Sequence, residues 1–143
     1  MSPLKSNVIQ DKLFKLNENV TFLEDILTDS DERILKDMSR CYALEHILQL
    51  SIQIVLDIGA HILAEEYQEN PATYQEVIIA LGNRGLVSKE FAAEQAEMAK
   101  FRNKLIHDYD SVDKEKVLIY ARSAPAIFRV FGKAYRDFIE KKN

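Results

Sequence analysis

Six polar residues, Glu45, Gln49, Gln53, Asp57, His61 and Glu65, recur every four positions through a stretch that is otherwise almost wholly apolar. On a helix of 3.6 residues per turn, such a ridge drifts slowly round the axis. Leu44, Ile47, Leu48, Ile52, Ile54, Val55, Leu56, Ile58, Ile62 and Leu63 flank it on both sides. A surface helix needs one apolar stripe; this one has two. One flank suits the protomer's own core and the other a second subunit, because a chain of 143 residues has few other helices to cover both. A central bundle helix with a hydrogen-bonded ridge is the alternative account. A membrane span is disfavoured, since Asp57 would place a charge near the bilayer centre.

The rest of the chain also reads as helix. Ile9, Leu13, Leu16, Val20, Leu23 and Leu27 advance by alternating steps of four and three, the stripe of a first helix. Asp29 or Ser30 caps the second, which runs from about Asp31 to about Glu66. "ENPATY" breaks it, and a short helix from about Thr73 to about Asn83 ends at the "GNRG" turn. Ser88 caps a fourth helix reaching about His107, "DYDSVD" forms a loop, and Asp113 caps the last helix. Pro125 should kink or split that helix, since proline lacks the amide hydrogen. The expected fold is all-α: one domain over residues 1–143, a bundle of four to five helices around one long central helix.

Composition bounds the function. Apolar residues make up 47% and charged residues 29%, the balance of a globular protein. The single cysteine, Cys41, forms no intramolecular disulfide, and the N-terminus has no apolar signal segment, so the expectation is a cytoplasmic protein with no membrane association. The net charge of −4 argues against indiscriminate nucleic-acid binding. The charge is unevenly spread, however: the chain from Ser111 onward carries +4 and the remainder −8. Within that basic segment Arg122, Arg129 and Arg136 recur every seven residues, with Lys133 one turn from Arg129. Arg129, Lys133 and Arg136 are candidate phosphate contacts, although a solvated face is the ordinary origin of such a pattern.

Several chemistries find no support. Asp57 and His61 are spaced to share one ion, but no HExxH, repeated ExxH or cysteine pair completes a metal site. They are expected to support neighbouring residues by hydrogen bonding, with no metal and no cofactor. No nucleophile elbow, P-loop or dinucleotide fingerprint is present. "FRNKLIHDYD", residues 101–110, is different. Around the helix, Asn103 lies one turn before His107 on the same side, while Arg102 leaves at the edge of the apolar stripe, ~140° from His107. For both to touch one phosphate, Arg102 must reach round the helix or two copies must approach each other. An imidazole can move the protons of RNA cleavage, and a guanidinium can hold the charge gathering on the phosphoryl oxygens.

With "ALEHILQLSIQIVLDIGAHIL", "NPATYQEVIIAL" and "FRNKLIHDYDSVD", the chain resembles the HepT-like toxins, a branch of the HEPN superfamily. The family's R-x4-H-x-Y motif matches Arg102, His107 and Tyr109, and the polar residue that often follows the arginine is Asn103. The resemblance implies an antiparallel homodimer whose two motifs line a cleft and cleave RNA without metal, with Arg102, His107 and Asn103 as the catalytic set. It also implies a partner, an MntA-like nucleotidyltransferase antitoxin, that transfers AMP to Tyr109 and silences the toxin. The competing expectation is a non-catalytic helical dimer that binds nucleotides or a partner, since a fold does not by itself carry a function.

Overall fold

The computed structural model describes residues 6–107 and 113–142. Among the described residues every regular element is helical. The order is α1 (Ser6–Ile26), α2 (Asp31–Lys36), α3 (Met38–Tyr67), α4 (Tyr74–Asn83), α5 (Lys89–Gln95), α6 (Met98–His107) and α7 (Lys114–Lys142). The central helix is α3, against which α1, α4, α6 and α7 pack.

Local chemistry sets most of the boundaries. Ser30, Thr73 and Ser88 cap α2, α4 and α5 by accepting from the amides of Arg33, Glu76 and Phe91. Asp113 accepts from the amides of Glu115 and Lys116 at the start of α7. At Thr73 the cap is reciprocal: the Glu76 carboxylate accepts from the amides of Ala72 and Thr73, a capping box. Past α4, Gly85 turns the chain at φ +81°, where a side chain would be strained.

Two expectations about helix continuity are corrected, and of the kink or split expected at Pro125 the split is excluded. The second helix is not one rod from Asp31 to Glu66, because Asp37 interrupts it with φ −103° and ψ 104°. Its carboxylate accepts from the amides of Ser39 and Arg40, so the residue ends α2 and starts α3. The fourth helix is likewise two, parted at Ala96 and Glu97. Its halves pack differently, α5 on α4 and α6 on both α3 and α4. Pro125, by contrast, does not split α7, which runs unbroken through it. A proline inside a helix costs about 3 kcal/mol. Beyond it Phe128, Phe131 and Tyr135 are buried, and each large apolar side chain removed from water contributes about 1.5–3 kcal/mol. Burial wins.

The two flanks of α3 differ in burial. Leu44, Leu48, Ile52, Val55, Leu56, Ile62 and Leu63 are buried in the core. Gly59 allows close packing there: a Cβ at that position would lie 2.9 Å from Leu81 Cδ1 and 2.9 Å from Tyr135 Oη. The Tyr135 hydroxyl donates to the carbonyl of Val55 at 2.7 Å, joining α7 to α3. On the other flank Ile47 and Ile54 are half-buried, and Leu50 is 38% exposed. α3 is long and apolar enough to cross a membrane by length and composition, but its first flank is the core of the bundle.

Candidate functional site

Arg102 leaves α6 between Phe101 and Asn103, and each neighbour helps to place it. Met98 and Leu105 are buried and seat α6 on the core, while Phe101 stacks on Tyr120 at 4.4 Å between ring centroids. Arg102 is half-buried; Asn103 is exposed. The Arg102 Nη1 donates to Asn103 Oδ1 at 3.0 Å. That bond joins the guanidinium to the side chain of the next residue along α6.

The guanidinium carbon of Arg102 lies 5.5 Å from the centroid of the Tyr74 ring, within the range of a cation–π contact. Tyr74 is the first residue of α4, set there by the Thr73 capping box. Its hydroxyl lies 3.4 Å from Gln53 Nε2, which donates at 2.7 Å to Asp57 Oδ1. Lys12 Nζ on α1 stands 4.0 Å from the other Asp57 oxygen. A polar seam therefore runs Lys12, Asp57, Gln53, Tyr74, Arg102, Asn103, across α1, α3, α4 and α6. Two of its atoms, Gln53 Oε1 and Arg102 Nε, are buried without a hydrogen-bond partner among the described residues.

The seam gives Asp57 a place. It stands three contacts from Arg102, through Gln53 and Tyr74, and it is engaged by an amide and an ammonium. His61, one turn further along α3, is half-buried. Among the described residues no three His, Cys, Asp or Glu side chains gather as metal ligands would. Tyr74 and Lys12 were not singled out from the sequence, and Gln53 only as part of the ridge. Tyr74 and Arg102 are 28 positions apart, so no local pattern announces their meeting. His107 closes α6, but its side chain and the whole of Tyr109 lie outside the described residues.

Arg102 differs from most other arginines. Among the described residues no carboxylate pairs with it, whereas Arg40 pairs with Asp29, Arg84 with Glu69, Arg122 with Asp31 and Arg129 with Glu24. The basic face of α7 is accordingly less open than its spacing suggests. Arg122 is a staple: besides Asp31, it donates to the carbonyls of Leu27 and Asp29 at 3.0 Å each. Arg129 bonds Glu24 at 2.6 Å, which holds the Glu24 carboxyl below its usual range, and Lys133 bonds Asp137 at 2.8 Å. These last two pairs are exposed and screened by solvent, so a phosphate can exchange with the carboxylate. Arg136 is exposed on the same helix.

Comparison with known proteins agrees with the fold. The chain is 30% identical over 102 residues to the tRNA nuclease HepT of Aphanizomenon flos-aquae, a match covering 71% of this chain and 63% of that protein. The cytosolic protein YutE of Bacillus subtilis superposes with a TM-score of 0.86 at 18% identity, over 99% of this chain and 95% of that one. A tri-AMPylated HEPN toxin of Shewanella oneidensis, solved with its MNT antitoxin, gives a TM-score of 0.81 at 17% identity, over 96% and 99% of the two chains. At those identities the likeness speaks for the helical fold. The family described as ribonuclease HepT-like matches residues 16–132. Since that match takes in most of its length, the chain belongs to the HepT-like ribonuclease family.

Proposed function

We propose that the protein is a metal-independent RNA endonuclease working as a homodimer, and the toxin of a pair whose nucleotidyltransferase partner silences it by transferring AMP to Tyr109. The observation that carries this reading is the state of Arg102. Among the described residues its guanidinium is held by a neutral amide oxygen and an aromatic face and by no carboxylate, which leaves its charge for an anionic group. The names of its relatives support the same chemistry, one a tRNA nuclease and one an AMPylated toxin bound to its antitoxin.

In this reading His107 takes the proton of a ribose 2′-hydroxyl, and the 2′-oxygen attacks the adjacent phosphorus. The bond from phosphorus to the 5′-oxygen breaks, and that oxygen receives a proton from an imidazolium, of the same or the opposing motif. The products are a 2′,3′-cyclic phosphate and a 5′-hydroxyl. Arg102 stabilises the charge on the phosphoryl oxygens, because a planar guanidinium presents two parallel donors to them. A dimer brings two such motifs to one cleft. The half-exposed strip of Ile47, Leu50 and Ile54 on α3 runs beside Gln53 and Asp57, so a second copy docked on that strip lies next to the seam that leads to Arg102.

The test is cleavage of RNA, transfer RNA first, by purified protein in EDTA, with analysis of the product ends. Wild type should cut and leave 2′,3′-cyclic phosphate, while His107→Ala should lose ~10²–10⁴-fold. Equal activity in the variant would remove His107 from the chemistry and place the nuclease elsewhere, most simply in a contaminant, while a wild type that cuts no RNA would leave the non-catalytic dimer as the better description.

A further inference from the structure

We propose that Tyr74 is a positioning residue for Arg102, its ring holding the guanidinium in place and its hydroxyl tied through Gln53 to Asp57. The proposal rests on the reading of Arg102 as the group that meets RNA phosphate. An arginine side chain turns about several single bonds, and a half-buried one with no carboxylate has little to hold it still. A carboxylate would fix it only by occupying its donors and cancelling its charge. An aromatic face does neither: it attracts the cation from above, and the N–H groups in the guanidinium plane stay free to donate. At 5.5 Å from the ring centroid, Arg102 is in that relation to Tyr74.

The rest of the seam orients the ring. The Asp57 carboxylate requires a donor, which turns the Gln53 amide so that Nε2 faces Asp57 at 2.7 Å and Tyr74 Oη at 3.4 Å. The opposite orientation would set Oε1 against a carboxylate oxygen. The consequence is that Gln53 Oε1 is buried without a partner among the described residues. The Thr73 cap fixes the backbone end of the ring. Tyr74 itself is 36% exposed and outside the buried core.

The experiment compares Tyr74→Leu and Tyr74→Phe, each alone and combined with Arg102→Ala, by kcat and KM on RNA. Alongside, the Nε–Hε resonance of Arg102 is followed in nitrogen-15-labelled protein and assigned by its loss in Arg102→Lys. Misplacing a group that acts in the transition state lowers kcat with little change in KM. Tyr74→Leu should therefore lose about tenfold or more in kcat, and Tyr74→Phe, which keeps the ring, should recover most of it. In the Arg102→Ala background Tyr74→Leu should cost nothing further, because the residue it positions is gone. The Arg102 resonance should move downfield in Tyr74→Leu, as ring-current shielding is lost, and stay near its place in Tyr74→Phe. An unmoved resonance in Tyr74→Leu would overturn the proposal, as would a further loss in the Arg102→Ala background. A raised KM with kcat retained would also overturn it, assigning Tyr74 to holding RNA. Should wild type cut no RNA, the nuclease reading falls, and the resonance alone decides whether Tyr74 holds Arg102.

Discussion

Arg102 donates to the side-chain oxygen of its own neighbour, Asn103, at 3.0 Å, and so the two adjacent side chains are joined on α6. Breaking either end of the bond should release the guanidinium. Arg102→Lys should lower RNA cleavage sharply, because an ammonium cannot supply the two parallel donors of the fork. Asn103→Ala should lower it less, since Arg102 keeps its contact with Tyr74. Single-turnover cleavage rates of the two variants give the order; Asn103→Ala slower than Arg102→Lys would mean that Asn103 touches the substrate itself.

The protein should sediment as a pair of 16.5 kDa chains at micromolar concentration. The interface is expected on α3 at Ile47, Leu50 and Ile54 and beside it on α6. Leu50→Asp sets a charge on the exposed strip and should yield a folded monomer of unchanged helicity with greatly reduced cleavage. A wild-type mass of one chain would count against the dimer and the two-motif cleft.

Tyr109 should accept AMP. Incubation with a cognate nucleotidyltransferase and ATP should add the mass of AMP to wild type and not to Tyr109→Phe, and the labelled protein should lose cleavage. The added phosphate is a new negative charge beside a site that binds phosphates, so repulsion suffices to silence it. Unchanged labelling of Tyr109→Phe would move the acceptor elsewhere.

Neutralising Arg129, Lys133 and Arg136 together should weaken RNA binding and flatten its dependence on salt, since each lost phosphate contact releases fewer counterions. Because Arg129 and Lys133 already have Glu24 and Asp137, the loss should be smaller than for three unpaired cations. Fluorescence anisotropy across a salt series measures both affinity and slope. An unchanged slope would make this face solvated, leaving Arg102, Lys100 and Lys104 to hold the RNA.

Gly59→Ala should destabilise the fold by about 1–3 kcal/mol, the usual cost of overpacking a core. The new methyl would meet Leu81 and the Tyr135 hydroxyl at 2.9 Å each, and relief on that side strains the Tyr135 bond to Val55. Urea unfolding should show a lower midpoint at an unchanged slope. A midpoint equal to wild type would show that α4 and α7 yield more readily than their packing suggests.

The all-α class, the stripe of α1, the starts of α2, α4, α5 and α7 and the motif of Arg102, His107 and Tyr109 were legible in the sequence alone. Each is local: a cap is a hydrogen bond across three residues, and an apolar stripe follows from the helical repeat. What the sequence left undecided depended on which helix lay opposite. Asp37 carries a cap signal inside a strong helical pattern, and the two local tendencies compete without a winner until α2 and α3 are packed. Ala96 and Glu97 carry no breaking signal; beyond them α6 packs on α3 as well as on α4, whereas α5 packs mainly on α4. Pro125 carries a strong one, overridden by the burial of Phe128, Phe131 and Tyr135. The same holds for charge. Spacing along α7 marks Arg122 and Arg129 as a basic face, and only the approach of α1 and α2 pairs them with Asp31 and Glu24. Spacing gives Arg102 a motif, and only the meeting of α4 with α6 lays its guanidinium on Tyr74, because side chains 28 positions apart are brought together by the angles at which helices pack and by nothing along the chain between them.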